Sequence, residues 1–306
     1  MNFQRYLAAK KTIDDRSLNP TVWGAFTASL EKTQKSKCVH VLEIGGGTGT
    51  MFQRLFSGGF LIHAEYTLMD ADRENLAAAI MLIPQWVEML GCRCSVLGDQ
   101  IKITGADRAV TVHLLGGDVL DQFGTIQSGS FDKIIAHAFM DLMPVDWLLP
   151  ELQRSLRAGG GLYLSINFDG VTALEPQIDS GLDDRIMEAY HHSMDERLVR
   201  GKRTAGSRSG RKMYAALVRA GLEIVEAGSS DWVVFSKLGR YRADEAYFLY
   251  CIIEFIFEEL RKDPAFTAEE LLVWAEKRKQ QIERGELFFI AHQLDFFACI
   301  PESSAA

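Results

Sequence analysis

The chain has 306 residues, of which 47% are hydrophobic and 24% charged, and its formal net charge is −8. These values are typical of an ordinary globular protein, and the negative charge disfavours nonspecific binding to nucleic acid. No apolar run is long enough to span a bilayer, the N-terminus has no secretory signal, and the five cysteines lack zinc-site spacing, so we expect a cytoplasmic protein with free thiols and no bound metal.

Residues 1–38 come first in the chain and are predicted to be helical. Two helical stretches are separated by a break at Asn19-Pro20. Arg16 lies between them and has two interpretations. It is either a charge at a helix end or a group that binds a ligand, because a guanidinium matches a carboxylate in shape.

Residues 41–50 (VLEIGGGTGT) carry the most informative motif of the chain. A buried strand leads into a glycine turn, and residues 51–56 continue as a helix. Glycine is needed where a backbone turns left-handed or approaches a ligand closely. The dinucleotide fingerprint G-x-G-x-x-G does not fit, because Thr48 or Thr50 stands where it requires glycine.

Glu43, Gly45, Gly47 and Gly49 instead match Glu-x-Gly-x-Gly-x-Gly, which resembles motif I of the class I S-adenosylmethionine-dependent methyltransferases. In that family the acidic residue lies near the cationic methionine end of the cofactor, whereas a carboxylate would repel a pyrophosphate. The resemblance implies S-adenosyl-L-methionine as cofactor and S-adenosyl-L-homocysteine as product. It also implies that an N-terminal segment lies over the cofactor, where Arg16 would bind the methionine carboxylate.

Two further carboxylates follow predicted strands. Asp70 ends the strand over residues 64–70, about 20 residues after the glycine turn, a position that suits ribose hydroxyls. In the family Ala71 would then lie near the adenine. Asp118 resembles the aspartate of the third cofactor motif, which accepts the adenine amine while the backbone amide of Val119 meets a ring nitrogen. Each aspartate also has the simpler interpretation of a turn residue.

A fourth strand over residues 131–137 ends at His137, where many members of the family hold the acceptor. Neither Asn-Pro-Pro-Tyr, Asp-Pro-Pro-Tyr nor a Pro-Cys pair follows it, so methylation of nucleic-acid bases is disfavoured. His137 is a candidate general base, because its pKa range suits deprotonation near neutral pH. A packed histidine at the strand end is the alternative.

The first of two insertions, residues 169–213, contains an acidic helix and then a basic segment, residues 200–212. We expect this segment to be mobile, either as a solvated loop or as a lid that closes over an anionic substrate. His191 from the helix and Arg208 from the basic segment are candidate substrate contacts.

The second insertion, residues 237–285, contains a helix over 247–257 that is apolar nearly all round. Such a helix must be largely buried, as a cap over the sheet, in a dimer interface or around a greasy acceptor. The basic residues 277–279 are predicted to form a solvated helix face.

The predicted fold is a doubly wound α/β protein with a seven-stranded, mostly parallel sheet and a helical cap from the two insertions. As in the family, the last strand should run antiparallel between the fifth and the sixth. The predicted segments are an N-terminal helical segment (1–38), a cofactor-binding core (39–168), a helix with a basic lid (169–213), a core continuation (214–236), a helical cap (237–285), and a last core strand with a tail (286–306).

The predicted function is methyl transfer from S-adenosyl-L-methionine to a small-molecule acceptor, anionic or partly apolar. A regulatory protein that binds the cofactor without turnover and a methyltransferase that acts on a protein are the alternatives. The glycine register and Glu43 disfavour a dinucleotide-dependent oxidoreductase. The sequence identifies neither the acceptor atom nor the need for a base, and it leaves a homodimer open.

Overall fold

The computed structural model describes residues 2–105 and 107–301. The α-helices in this part of the chain are α1 (Phe3–Ser17), α2 (Pro20–Gln34), α3 (Thr50–Ser57), α4 (Arg73–Met89), α5 (Val119–Gln122), α6 (Val145–Ser155), α7 (Ser180–Glu196), α8 (Ser209–Arg219), α9 (Glu245–Leu260) and α10 (Ala268–Glu283). The strands are β1 (Val39–Ile44), β2 (His63–Asp70), β3 (Arg93–Leu97), β4 (Gln100–Thr104), β5 (Ala109–Gly116), β6 (Phe131–His137), β7 (Leu156–Glu175), β8 (Leu198–Val199), β9 (Lys202–Arg203), β10 (Glu223–Ser229), β11 (Trp232–Val234) and β12 (Phe288–Cys299). A short 3₁₀ helix, Met140–Leu142, lies between β6 and α6.

One sheet has ten strands in the order β10-β12-β7-β6-β1-β2-β5-β4-β3, with β11 paired to β12. The five strands from β7 to β5 are parallel, and β12 runs antiparallel between β7 and β10. The predicted doubly wound fold is confirmed, including its antiparallel last strand. The number of strands is corrected from seven to ten, because the hairpin β3–β4 extends the edge at β5 and β11 adds to β12.

Helices cover both faces of this sheet, which is why β1 carries apolar side chains on both of its faces. Val41 packs on one face with Phe52 of α3. Leu42 packs on the opposite face with Leu148 of α6. Because both faces are covered, the carboxylate of Glu43, also in β1, lies in the protein interior.

Strands β7 and β12 continue past the carboxyl ends of the parallel strands. β7 pairs with β6 as far as Ser165 and then continues to Glu175 against the first half of β12. Helices α1, α7, α9 and α10 pack on this extension in an apolar cluster that buries Phe248 and Ile253 of α9 and Trp274 of α10. The apolar helix of the second insertion is therefore a buried part of a cap at the carboxyl edge of the sheet.

Arg278 corrects the expectation that residues 277–279 form a solvated face. Its side chain is fully buried, its Nη2 donates to Asp183 Oδ1 at 2.6 Å, and its Nη1 donates to the carbonyl of Pro176. Arg278 lies one helical turn after Trp274, whose indole N–H also donates to Asp183. Burial alone would raise the pKa of the Asp183 carboxyl, but these hydrogen bonds outweigh it and the pKa is lowered.

The basic segment 200–212, expected to be a mobile loop, is folded. Strands β8 and β9 form a hairpin, and α8 begins inside the segment. Arg203 donates to the carbonyl of Asp195 and Lys212 to the carbonyl of Ala205. These basic side chains therefore have structural partners within the first insertion.

Candidate functional site

The glycine turn between β1 and α3 lies at the carboxyl edge of the sheet. Gly45, Gly47 and Gly49 have φ angles of 63°, 55° and 85°, a region that other residues rarely adopt. A Cβ at Gly45 would lie 2.3 Å from the ring of Phe139, so this position also needs glycine for space. A Cβ at Gly47 would meet Leu7 of α1 at 3.3 Å. The N-terminal helix therefore lies over the turn.

Asp70, at the end of β2, supports this turn. Its Oδ2 accepts a hydrogen bond from the backbone N–H of Gly47 at 2.7 Å. Its Oδ1 accepts from the N–H of Asp72 at 2.8 Å and from the amide of Asn75 at 3.2 Å. Asp72 in turn caps the first turn of α4. The carboxylate of Asp70 is thus fixed beside the glycine turn.

Asp118 follows β5, which pairs with β2 on the side opposite to β1. Asp70 is in register with Gly116, so the glycine turn, Asp70 and Asp118 follow three adjacent strands at one edge of the sheet. Asp118 caps the first turn of α5 with Oδ1, and its Oδ2 pairs with Arg200 at 2.9 Å. Arg200 belongs to the β8–β9 turn, so the basic segment reaches this edge.

Ala71 and Val119 are the two residues expected near an adenine. Ala71 is exposed directly after Asp70. Val119 is buried directly after Asp118. They follow the carboxyl ends of the adjacent strands β2 and β5, which lie on the same side of β1 and its glycine turn. The structure therefore brings Ala71 and Val119 to the same edge of the sheet as the glycine turn, Asp70 and Asp118.

Glu43 is buried beneath the glycine turn. Its Oε2 accepts a hydrogen bond from the hydroxyl of Tyr66 at 2.8 Å. Burial raises the pKa of Glu43 to about 8, although the hydrogen bond from Tyr66 and the charge of Arg54 oppose the shift. A cation bound over the turn would favour the ionised form of Glu43. The carboxyl is therefore able to respond to a cationic ligand.

The raised pKa of Glu43 predicts how stability changes with pH. The ordinary pKa of this carboxyl is 4.5, so its contribution to stability is fully present below that pH and is lost as the pH rises toward about 8. The slope is up to about 1.4 kcal/mol per pH unit. Glu43→Gln keeps an oxygen that accepts the hydrogen bond from Tyr66, but its side chain cannot ionise. The variant should therefore become more stable relative to the parent protein as the pH rises from 4.5 to about 8. Chemical denaturation at several pH values measures the difference, and parallel profiles would mean that Glu43 ionises normally.

His137 is enclosed by hydrogen-bond partners. Its Nδ1 lies 2.8 Å from Ser165 Oγ, and its Nε2 lies 3.0 Å from Oδ2 of Asp14 in α1. Asp14 also pairs with Lys10 at 2.9 Å and accepts from the indole N–H of Trp232. Burial lowers the pKa of His137 to about 4, although Asp14 opposes the shift. The structure therefore argues against the expected general base, because both ring nitrogens are occupied and the ring is weakly basic.

Arg54 of α3 is a buried cation whose hydrogen bonds are incomplete. Its side chain is 7% exposed and its Nε donates to Asp15. Nη1 and Nη2 are buried without a hydrogen-bond partner in the described part of the chain, and Oδ2 of Asp14 lies 3.7 Å from Nη2. A buried donor without an acceptor costs about 1–3 kcal/mol. These donors lie one helical turn after the glycine turn and are suited to an anionic ligand.

Arg16 binds residues of the protein and not, as the sequence suggested, the carboxylate of a ligand. Its Nη1 and Nη2 donate to the carboxylate of Glu245 in α9, and Nη2 also donates to the carbonyl of Val233. The expected bond from Arg16 to a ligand carboxylate is therefore corrected, because these donors already have protein acceptors. Arg16 joins α1 to the cap.

The two candidate substrate contacts lie in different environments. His191 is half-buried in α7, and its Nε2 lies 3.1 Å from Thr172 Oγ1 in the extension of β7. Arg208 is exposed just before α8, where its stem lies beside Gly170. The structure does not join these two residues by a hydrogen bond.

Several residues of this edge were not identified from the sequence. Lys10 and Asp14 lie one turn apart on α1, and Asp15 and Arg54 pair between α1 and α3. The spacing of Lys10 and Asp14 is a usable signal for a helical ion pair. No local pattern indicates that His137 completes the group, because it is 123 positions away from Asp14.

No protein-family model matches the chain, and no curated protein matches its sequence. A Bacillus halodurans protein provisionally assigned as a methyltransferase is 16% identical, with 90% of this chain and 98% of that chain covered and a TM-score of 0.47. An S-adenosylmethionine-dependent methyltransferase from Methanosarcina mazei is 12% identical, covering 85% and 92%, with a TM-score of 0.43. A Galdieria sulphuraria protein provisionally assigned as a sarcosine dimethylglycine methyltransferase is 14% identical, covering 91% and 82%, with a TM-score of 0.42. At these identities the likeness concerns the fold.

Within residues 2–105 and 107–301, no helix combines the length and the apolar character needed to cross a bilayer. In the same residues, no cluster of three or more His, Cys, Asp or Glu side chains has the arrangement of a metal site.

Proposed function

We propose that this protein transfers a methyl group from S-adenosyl-L-methionine to a small-molecule acceptor. One observation carries the proposal: the glycine turn over the buried Glu43, the carboxylate of Asp70 and the carboxylate of Asp118 follow three adjacent strands at one edge of the sheet. Ligands of open α/β sheets bind at this edge. The resemblance of residues 43–49 to motif I supplies the identity of the ligand.

The residues at this edge fit the parts of the cofactor. The carboxyl of Glu43 suits the cationic methionine end, and Asp70 suits the ribose hydroxyls. Asp118, with Ala71 and the backbone of Val119, suits the adenine. Arg200 now pairs with Asp118, so the adenine amine would have to share or replace that contact.

Arg54 replaces Arg16 as our candidate for the methionine carboxylate. Its Nη1 and Nη2 are buried without acceptors, whereas the guanidinium of Arg16 is engaged by Glu245. Gly49, which precedes α3, makes no side-chain cap, so the first N–H groups of this helix also favour an anion. A guanidinium binds a carboxylate through two parallel hydrogen bonds.

The bound cofactor supplies an electrophilic methyl group. The chain orients the reactants and keeps water out, which accounts for much of the acceleration in such reactions. Leu7 of α1 covers the glycine turn, and the network from Asp14 to His137 fixes α1 against the end of β6. His137 is therefore proposed as a positioning residue.

The cap favours a small acceptor over a folded protein. Helices α1, α7, α9 and α10 pack together on the strand extension beyond the carboxyl edge. His191 stays a candidate acceptor contact because it is half-buried in α7. Arg208 is the weaker candidate because it is exposed. The β8–β9 hairpin, through Arg200, is the proposed lid.

Calorimetric titration with S-adenosylhomocysteine, with NAD as the comparison ligand, tests the cofactor. We expect binding of S-adenosylhomocysteine alone, and a loss of roughly 100-fold in Asp70→Ala, because this carboxylate fixes the turn and would bind the ribose. Asp146→Ala removes an exposed carboxylate and should change nothing. Absence of S-adenosylhomocysteine binding, or a preference for NAD, would refute the cofactor, and equal affinities of Asp70→Ala and Asp146→Ala would remove Asp70 from the site. Formation of a methylated product then separates an enzyme from a regulatory binding protein.

A further inference from the structure

A cavity of about 690 Å³ opens between the start of α6, the helix α8 and the β8–β9 hairpin. Its volume lies in the range of pockets that hold small molecules. Of the described residues, neither the glycines of the turn after β1 nor Asp70 nor Asp118 lines this cavity. It is therefore a second candidate site, separate from the residues that would bind the cofactor.

Positive charge dominates the wall of this cavity. Its lining includes one carboxylate and four cationic side chains, which belong to Lys202, Arg203, Lys212 and Arg219. The carboxylate of Asp146 pairs with Arg219 at 2.8 Å. The other three cations have no carboxylate partner in the part of the chain that the structure describes. In a chain with a net charge of −8, three uncompensated cations around one cavity indicate an anionic ligand.

Neutral groups hold these three cations in place. Lys202 Nζ lies 5.6 Å from the centroid of the Trp147 ring. Arg203 Nη1 and Lys212 Nζ donate to backbone carbonyls at 2.6 and 2.7 Å. These contacts order the side chains without neutralising them, and each cation keeps further N–H donors for a ligand.

The start of α6 adds hydrogen-bond donors to the same wall. Pro144, its N-cap, makes no side-chain cap, so the N–H groups of Val145 and Asp146 have no acceptor within the described ranges. The dipole of this 11-residue helix also favours negative charge here. The hydroxyl of Thr204, a lining residue that is 8% exposed, is buried without a described partner. An oxyanion held against the hairpin would give this hydroxyl a hydrogen bond.

The remaining wall of the cavity is apolar. Val145, Met213 and Ala216 line it with buried side chains, and Trp147 lines it with a half-buried ring. Such a wall suits a flat apolar body, because aromatic groups bury a large area and stack. The cationic end suits a phosphate better than a carboxylate, because a phosphate carries nearly two charges and three strong acceptor oxygens.

We propose that this cavity binds a phosphate monoester with a flat apolar body. The phosphate lies at the start of α6 between Lys202 and Lys212, and the body lies against Trp147 and Met213. Lysine binds phosphate as a point charge, and helix N-termini bind it through their N–H groups. This inference does not depend on the proposed function, because the residues that would hold the cofactor do not line the cavity.

Calorimetric titration of the whole chain with phenyl phosphate and 1-naphthyl phosphate tests the ligand class. The counterparts are phenol and 1-naphthol, which lack the anion, benzoate and 1-naphthoate, which carry a carboxylate, and inorganic phosphate, which lacks the body. We expect at least one monoester to bind at least tenfold tighter than each of its counterparts. Failure of both monoesters to bind, or equal binding of a counterpart, would overturn the proposal. Displacement of the bound monoester by S-adenosylhomocysteine would place it at the cofactor edge and would also overturn it.

Two variants test whether the named residues form the site. Lys202→Gln should weaken binding of the monoester about tenfold, and it should fold normally because Lys202 is exposed. Lys277→Gln removes an exposed lysine from α10 as the matched control and should bind like the parent protein. Trp147→Leu should also weaken the monoester about tenfold while leaving the weaker binding of inorganic phosphate unchanged. Thermal unfolding of each variant checks its fold, and equal affinities of Lys202→Gln and Lys277→Gln would overturn the assignment.

Discussion

Replacing Arg54 by methionine should weaken the binding of S-adenosylhomocysteine by roughly 100-fold and leave the binding of 5′-methylthioadenosine unchanged. The two ligands share the adenosine and the sulfur, but only the first has a carboxylate. Nη1 and Nη2 of Arg54 are buried without acceptors, so their hydrogen bonds to that carboxylate would be formed in a desolvated site. Calorimetric titration of both ligands measures the difference directly.

Arg16→Met is the matched control for this prediction. It removes the same charge, from α1, but Arg16 is engaged by Glu245 in the cap. We expect the control to bind both ligands like the parent protein. An equal loss for both ligands in Arg54→Met would mean that Arg54 supports the shape of the glycine turn rather than binding the carboxylate. A normal affinity for S-adenosylhomocysteine would remove Arg54 from the site.

Replacing Arg278 by methionine should lower the free energy of unfolding by about 3–5 kcal/mol. The substitution fills a similar volume but leaves the buried carboxylate of Asp183 without its cation. Trp274 still donates to Asp183, and it offsets only part of the loss because a neutral donor is weaker than a guanidinium. Equilibrium denaturation in urea measures the change.

Lys277→Met is the control, because Lys277 is the exposed neighbour of Arg278 on the same helix. Its effect should stay within about 0.5 kcal/mol. Adding Asp183→Asn to Arg278→Met should recover part of the stability, because the unpaired charge is removed. A loss below about 1 kcal/mol in Arg278→Met would show that Asp183 reaches water once its partner is gone.

Helix α1 contacts the glycine turn, the end of β6 and the helical cap. Leu7 lies over the glycine turn, Asp14 binds His137 at the end of β6, and Arg16 binds Glu245 of the cap. A ligand held at the turn therefore contacts a helix that also contacts the cap. This arrangement gives the N-terminal segment a direct role in closing the proposed site.

The sequence by itself determined the strand, glycine turn and helix over residues 41–56, and it indicated the carboxylates of Asp70 and Asp118 at strand ends. These features follow from backbone conformation and from the geometry of neighbouring strands. Positive φ angles require glycine, and the carboxyl ends of neighbouring parallel strands meet at one edge of a sheet. The burial of α9 was also predictable, because a helix that is apolar nearly all round has to be covered.

Only the tertiary structure decided which charges meet. Arg16 and Glu245 are 229 positions apart, and Arg278 and Asp183 are 95 apart. Periodicity gives the direction of a side chain on its own helix, but its partner is set by the packing of distant elements around it. For this reason the sequence suggested a ligand carboxylate for Arg16, a solvated Arg278 and a basic His137, and the fold gave each of these residues a buried protein partner.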